Sequence, residues 1–334
     1  MNLRVCSAAE VHAALPWLAL AAALEAAFAR GDTTAPLRHA HALSSVDVAA
    51  SSPGSLLLMP AWSPRAIGVK TVTVMPGAAA LGAGTVQASY LLLDRATGVP
   101  LALIDGEALT LRRTAATSAL AARHLARADA KRLLLVGAGR LAPWMARAHL
   151  ALHAGLREVQ VWSRDGSSAA ALVRRLCGEG VDAVVARDLQ AAVQRADVVS
   201  CATTSREPLV RGEWLRAGTH LDLVGGFRPD MREADDAAMA RSRVVVDTYA
   251  GALAEAGELL QPIANGTFTA AHVVAELAEL LRGDKPGRLS PDDITCFKSV
   301  GAAVEDLTAA LLVLTAAPTT APTTPPTTPP TTAP

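Results

Sequence analysis

The sequence predicts an α/β fold, with a doubly wound parallel sheet preceded by a smaller mixed α/β region. Three observations predict it. Short aliphatic strands alternate with helical segments from Arg132 to Asp247, the pattern of a parallel sheet covered by helices. A G-x-G-x-x-A loop, Gly137 to Ala142, joins the first of these strands to an Ala-rich helix. The first hundred or so residues instead carry consecutive β-type runs with short Gly- and Pro-containing turns, which suggests an antiparallel or mixed sheet.

A chain of 334 residues suits roughly two domains, at about 150 residues each. Lys plus Arg and Asp plus Glu each number 31, so the formal charge is zero. That balance leaves no electrostatic footprint for nucleic acid or an anionic membrane, so neither is expected as a partner. Hydrophobic residues make up 51% and aromatics only 3%, which points to an aliphatic, globular core. The four cysteines lie far apart without C-x-x-C, which argues for reduced thiols in a cytoplasmic protein and against a disulfide scaffold or zinc ribbon. No run approaches the roughly 20 apolar residues of a membrane span, and no secretory leader is expected.

Taken in order, the apolar run from Pro16 reads as a helix to about Arg30, ended by Gly31. Gly54–Pro60, Ala66–Val74 and Gln87–Leu93 read as strands. Thr97-Gly98 reads as a hairpin turn between Tyr90–Asp94 and Pro100–Asp105. A helix is expected from Leu109 to Ala126. Strands follow at Arg132–Val136, Glu158–Trp162, Asp197–Cys201, His220–Val224 and Val244–Asp247. From about Thr267 the chain is expected to be helical, ending in Gly301–Thr315. Residues 318–334 hold seven prolines among threonines and alanines, cannot form an apolar face, and read as a disordered tail.

The loop at Gly137 has the chemistry of a dinucleotide site. Gly137 permits the tight turn, Gly139 lets backbone approach a pyrophosphate, and Ala142 allows close helix–strand packing. Ala138, Arg140 and Leu141 complete the loop, and the helix N-terminus offers free N–H groups. The second strand ends in Ser163-Arg164-Asp165, where NAD-specific folds carry an acidic residue for the ribose 2′-hydroxyl. A hydroxyl and a guanidinium suit a 2′-phosphate instead, so NADPH is favoured, with NADH as the alternative. Asp165 could turn inward or pair with Arg164. At later strand ends, Thr203, Thr204, Ser205, Gly225 and Gly226 sit where such sheets bind ligands.

Several catalytic sets are missing. Tyr90 and Tyr249 have Asp94 and Leu253 at the Lys position of Tyr-x-x-x-Lys, and neither G-x-S-x-G nor H-E-x-x-H occurs. No metal site is expected, since His149 and His153 lack the accompanying ligands. Cations in apolar settings say more. Lys70 lies inside the strand Ala66–Val74, Arg112 and Arg113 in an Ala/Leu-rich helix, and Arg38 in a weakly polar segment. Without obvious carboxylate partners, such cations suit an anionic substrate.

These pieces together resemble the ornithine cyclodeaminase/mu-crystallin family. The resemblance spans most of residues 1–316. It is carried by Leu58-Met-Pro-Ala61, Gly68-Val-Lys70, Leu101–Gly106, Leu111–Ala116, the Gly137 loop, Val224–Asp235, Glu255–Glu258 and Phe297–Asp306. It implies a Rossmann-type NAD(P)-binding domain, residues 113–296, inserted into a substrate-binding and dimerisation domain of residues 1–112 and 297–317. It also implies a homodimer. Arg38, Lys70 and Arg113 match the residues that hold the substrate carboxylate, and Lys70 is the catalytic candidate. Lys298 and Ser299 match a segment bordering the nicotinamide, and Thr85 and Thr114 are assigned to the cofactor as well. Cyclodeaminases carry an acidic residue directly after the Gly-Gly of Gly225-Gly226, where this chain has Phe227. That departure resembles the reductase branch, which acts on cyclic ketimines such as Δ1-pyrroline-2-carboxylate and Δ1-piperideine-2-carboxylate. Alternatives are an alanine-type amino-acid dehydrogenase, a cyclodeaminase and a non-catalytic NADPH-dependent binding protein.

Overall fold

The computed structural model describes residues 3–43 and 54–316, so the Pro/Thr tail at 318–334 lies outside the described residues. Two sheets carry the fold. The first is six-stranded. It comprises β1 (Arg4–Cys6), β2 (His39–Leu43), β3 (Gly54–Trp62), β4 (Ala66–Val74), β5 (Val86–Asp94) and β6 (Pro100–Asp105), in the order β1-β6-β5-β4-β3-β2. β1 pairs parallel with β6 and the remaining pairs are antiparallel, so the sheet is mixed, as its short turns predict. Gly98, at φ 71°, closes the β5–β6 hairpin in a left-handed conformation that glycine adopts without cost.

Helices α1 (Ala8–Ala14) and α2 (Trp17–Arg30) pack on this unit. Ser7 and Glu10 form a reciprocal capping box at the start of α1, and Gly31 ends α2 in the left-handed region. Side chains alternate along β4, so Ala66, Gly68 and Lys70 face inward. The inner face joins Met59, Tyr90, Leu92 and Ile104 to Leu109, Leu307 and Val313 in one core.

α3 (Gly106–Leu125) begins three residues before its sequence-expected start, because the Asp105 carboxylate accepts the Ala108 N–H at 2.8 Å and caps it. The helix runs from the first sheet to the second, which follows the predicted alternation. That sheet contains β7 (Arg132–Val136), β8 (Glu158–Trp162), β9 (Ala183–Val185), β10 (Val198–Cys201), β11 (His220–Leu223), β12 (Ser242–Val246), β13 (Val273–Glu276) and β14 (Ile294–Lys298). Its order is β13-β12-β14-β11-β10-β7-β8-β9, with every pair parallel. The intervening helices are α4 (Ala142–Leu152), α5 (Gly166–Gly178), α6 (Leu189–Arg195), α7 (Asp236–Arg241), α8 (Tyr249–Glu255), α9 (Gly257–Ala264) and α10 (Leu277–Arg282). The order reverses between β7 and β10, the switch point at which open parallel sheets bind ligands. Helix α11 (Ala303–Thr315) returns the chain to the first unit.

One expectation fails. The chain after Thr267 is not continuously helical, because β13 and β14 interrupt it. β14 lies in the middle of the sheet, between β12 and β11, with all five residues buried. A strand covered on both faces shows no apolar–polar alternation, and its Lys298 masks the run further. Pairing with two neighbours, rather than local preference, makes it a strand. Among the described residues no single helix is long and apolar enough to cross a membrane.

Candidate active site

Lys70 points from β4 into the protein and is 2% exposed, opposite Met59 on β3 and Tyr90 on β5. Its Nζ lies 2.7 Å from Asp306 Oδ2. Arg113, near the start of α3, donates through Nε to Asp306 Oδ1 at 2.9 Å and through Nη1 to Glu305 Oε2 at 2.7 Å. Both carboxylates come from the first turn of α11, where the helix dipole favours negative charge. Arg38 precedes β2; its Nη2 lies 2.9 Å from Glu255 Oε2 and donates to the Val300 carbonyl at 2.8 Å. Gly301 joins the two arginines. Arg38 reaches its carbonyl at 3.3 Å, and a Cβ added there would lie 2.7 Å from Arg113 Nη1. The residue also needs glycine for its φ of 86°.

The structure thus brings Arg38, Lys70 and Arg113 together, and it corrects one premise of the sequence reading. These cations do have carboxylate partners, in Glu255, Asp306 and Glu305. The partners lie more than a hundred residues away along the chain, so local sequence could not reveal them. Beside the cluster, a cavity of about 310 Å³ is lined by Arg38, Met59, Thr248, Glu255 and Gly301.

The charges are not equivalent. Burial, helped by the neighbouring Arg113, pulls the Lys70 pKa down to about 8 against the attraction of Asp306. Burial opposes the Arg113 charge, but Asp306 and Glu305 outweigh it and raise its pKa. Burial also disfavours ionised Asp306, yet Arg113 and Lys70 hold its pKa below the usual carboxylate value.

The cofactor candidates fall at the carboxyl ends of the large sheet. Gly137, at φ 107°, turns the chain after β7, and a Cβ there would meet the Ala202 carbonyl at 2.9 Å. Above Gly139 nothing lies within 4 Å of a Cβ position, so backbone faces open space. No side chain caps α4, which follows Leu141 directly. Together with Ala138, these features fit the backbone cradle that a dinucleotide pyrophosphate requires. Arg140 is ion-paired with Glu107, and Thr114 is half-buried beside Arg113. A Cβ on Gly84 would lie 3.9 Å from Arg140 Nη1, so the loop carrying Thr85 approaches the glycine loop.

At the end of β8, Arg164 is exposed and Ser163 half-buried. Asp165 turns to its own helix, accepting the Ser167 N–H at 3.0 Å and the hydroxyls of Ser167 and Ser168 at 2.7 and 2.8 Å. These bonds pull its pKa down to about 2.

Across the switch point, Thr203, Gly225, Gly226, Lys298 and Ser299 cluster at the ends of β10, β11 and β14. Thr204 is exposed beside them, and the buried Ser205 donates to the Glu207 carbonyl at 2.6 Å. The Lys298 and Ser299 side chains turn inward. Lys298 is fully buried against Glu258, and Ser299 Oγ donates to Asp247 at 2.9 Å.

Sequence reasoning missed the carboxylates that organise these loops. Asp247, fully buried after β12, also accepts the N–H groups of Val300 and Gly301 at 2.8 and 2.7 Å. Glu233 accepts the Thr203 N–H at 2.7 Å and the Gly225 N–H at 2.8 Å. Burial raises the Glu233 pKa to about 7, with Lys298 pulling it down and Glu258 pushing it up. Glu233, Glu258, Glu305 and Asp306 all lie in motifs quoted for the resemblance, which was the available signal. Phe227 is 38% exposed, and Asp230 is paired with Arg228 at 2.9 Å rather than occupying its place. Among the described residues no cluster has metal-binding geometry.

Comparison with known proteins adds an independent line. The model of the ornithine cyclodeaminase/mu-crystallin family matches residues 1–320. A Delta(1)-pyrroline-2-carboxylate reductase of Paracoccus denitrificans is 43% identical over 284 residues, covering 84% of this chain and 90% of the relative. The structure of Thermococcus litoralis Delta(1)-pyrroline-2-carboxylate reductase, in complex with NADH and L-proline, superposes with a TM-score of 0.86 at 33% identity. It covers 93% of this chain and 96% of its own. An archaeal alanine dehydrogenase dimer with bound NAD gives a TM-score of 0.85 at 29% identity, covering 94% of this chain and 95% of its own.

Proposed function

The chain belongs to the ornithine cyclodeaminase/mu-crystallin family, and from that premise we propose that it reduces cyclic ketimines with a nicotinamide dinucleotide. The substrates are Δ1-pyrroline-2-carboxylate, giving L-proline, and its six-membered homologue, giving L-pipecolate. The observation that carries this reading is the meeting of Arg38 and Arg113 at Gly301 and of Arg113 and Lys70 at Asp306, a few residues beyond the β14 end whose Lys298 bonds to Gly226.

When bound, the dinucleotide supplies the hydride. The Gly137–Leu141 loop and the α4 N-terminus hold its pyrophosphate, and the open face of Gly139 admits it. Arg38 and Arg113 orient the substrate carboxylate. The product amine needs one proton besides the hydride. Lys70, held by Asp306, carries a proton at Nζ and supplies it to the imine nitrogen or keeps the iminium oriented. The relative identities of 43% and 33% to reductases, together with Phe227 in place of a carboxylate, favour reduction over cyclodeamination.

NADPH is the preferred donor in this reading. The Asp165 carboxylate is occupied by its helix, and the Ser163 hydroxyl is engaged by the Asp165 carbonyl and the Ala169 N–H, which leaves the exposed Arg164 for a 2′-phosphate. Arg164→Glu is expected to raise the KM for NADPH about tenfold or more while the KM for NADH stays within about twofold, a shift near 1.4 kcal/mol. Equal effects on both cofactors would remove Arg164 from specificity.

A second copy of the chain is the partner. Pro60, Val69, Leu91, Leu103 and Val5 stand opposite one another across five strands of the first sheet, on the face away from its core. Val5 is 66% and Leu103 38% exposed, an apolar row that a solitary chain would leave in water. The similar archaeal dehydrogenase is a dimer. Val69→Glu should therefore shift the mass measured by light scattering from dimer to monomer. A monomeric parent would overturn this assignment.

The activity is tested by following oxidation of NADPH and NADH with Δ1-pyrroline-2-carboxylate, beside pyruvate plus ammonium. Fast, ammonium-independent oxidation with the ketimine is expected. Turnover only of pyruvate with ammonium would instead establish an alanine-type dehydrogenase, and binding of NADPH without turnover of either would establish a binding protein.

A further inference from the structure

Besides Asp247, the large sheet's carboxyl edge encloses Glu233, Glu258 and Lys298, each 0% exposed. Burying charge is costly, and apolar side chains of similar size would pack such a space at no loss of stability. Their contacts give a reason for keeping them. Glu233 takes two donors from the loop after β10, the Thr203 N–H at 2.7 Å and its hydroxyl at 2.8 Å. Its other oxygen takes the Gly225 N–H, after β11, at 2.8 Å. Glu258 takes the Glu233 N–H at 2.8 Å and faces Lys298 Nζ, at the end of β14, at 2.9 Å. Lys298 donates in turn to the Gly226 carbonyl at 2.5 Å. The chain of bonds ends on backbone groups of adjacent strand ends. The glycines leave no slack, since a Cβ on Gly225 would lie 2.0 Å from the Thr203 carbonyl and 2.5 Å from Glu233 Oε1.

We propose that Glu233, Glu258 and Lys298 form a buried strut that locks the ends of β10, β11 and β14 in register and thereby sets the seat of the nicotinamide ring. The inference rests on the function proposed above. Glu233 and Lys298 are positioning residues, acting on the cofactor through Thr203, Gly225 and Gly226. The strut also accounts for a buried lysine next to a dinucleotide site: its charge is consumed by Glu258 and a backbone carbonyl.

Glu233→Gln is the sharpest test. Three donors converge on one carboxylate, and an amide presents two further donors in place of one acceptor oxygen. Either the Thr203 or the Gly225 N–H then faces an N–H. Binding of NADPH to the full-length protein, read by quenching of tryptophan fluorescence, should weaken at least tenfold. The turnover number with Δ1-pyrroline-2-carboxylate should fall by a similar factor, while its KM at saturating NADPH stays within about twofold, a split that general loosening of the fold would not give. Thr203→Val, which deletes one hydroxyl donor to Glu233 and leaves the buried charges themselves in place, should weaken NADPH by a smaller factor of about three with only a modest fall in melting temperature. It decides the question if Glu233→Gln does not fold. NADPH affinity and turnover equal to the parent's in Glu233→Gln, or in Thr203→Val where the former is unfolded, would overturn the strut and leave the proposed reductase intact. A parent that binds neither NADPH nor NADH would overturn both.

Discussion

Lys70→Met should lower kcat/KM for Δ1-pyrroline-2-carboxylate by about a thousandfold, within the range of about 10² to 10⁴ typical of a general acid. Methionine fits the apolar surroundings of β4, so the variant should fold, with Asp306 still paired to Arg113 at 2.9 Å. The two roles of Lys70 separate in the kinetics. Loss of a clamp alone raises KM and spares kcat, whereas loss of a proton donor lowers kcat at saturating substrate. The pH profile gives the sign. Lys70 is lowered from 10.5 to about 8, so its ammonium form predominates below pH 8. A rate that needs the ammonium is level below that point and falls about tenfold per pH unit above it. The alkaline limb should vanish in Lys70→Met. If the limb survives at the same pH in the variant, another group is responsible.

Arg113→Leu should cost about 3–5 kcal/mol of folding stability, read by urea denaturation, in addition to abolishing turnover. The guanidinium neutralises two carboxylates, Glu305 and Asp306, that are both fully buried. Removing it strands Glu305 without a cation and leaves Asp306 with Lys70 alone. The combination Arg113→Leu, Glu305→Gln should recover a large part of the lost stability, since the stranded charge is gone, yet remain inactive. A single variant as stable as the parent would show that the ion cluster contributes nothing to the fold.

The strands differ in how readily they could be read. β4, β6, β7 and β8 emerge with the boundaries expected from sequence, because each is an apolar run bracketed by Gly, Pro or charged residues. β14 was hidden because its identity depends on neighbours about fifty and seventy-five residues away in sequence. The same division holds in the site. The glycine loop advertises itself, since its chemistry is local: a turn, an open backbone and a helix start. The carboxylates do not. Asp306 reads as one more acidic residue in a helix start until α11 carries it to Lys70, and Glu233 reads as part of a charged stretch until its oxygens meet Thr203 and Gly225. A lysine in an apolar strand signals that a counter-charge exists, but not where it is.

That every cation of the cluster carries a built-in counter-ion has a consequence for recognition. Three cations set against Glu255, Glu305 and Asp306 leave the cluster with no net charge to draw anions in. An incoming carboxylate would have to share groups that these residues already hold in place, so fit rather than charge would decide which acid is retained. Ionic strength, which would flood an open basic pocket with competitors, should leave this one almost indifferent.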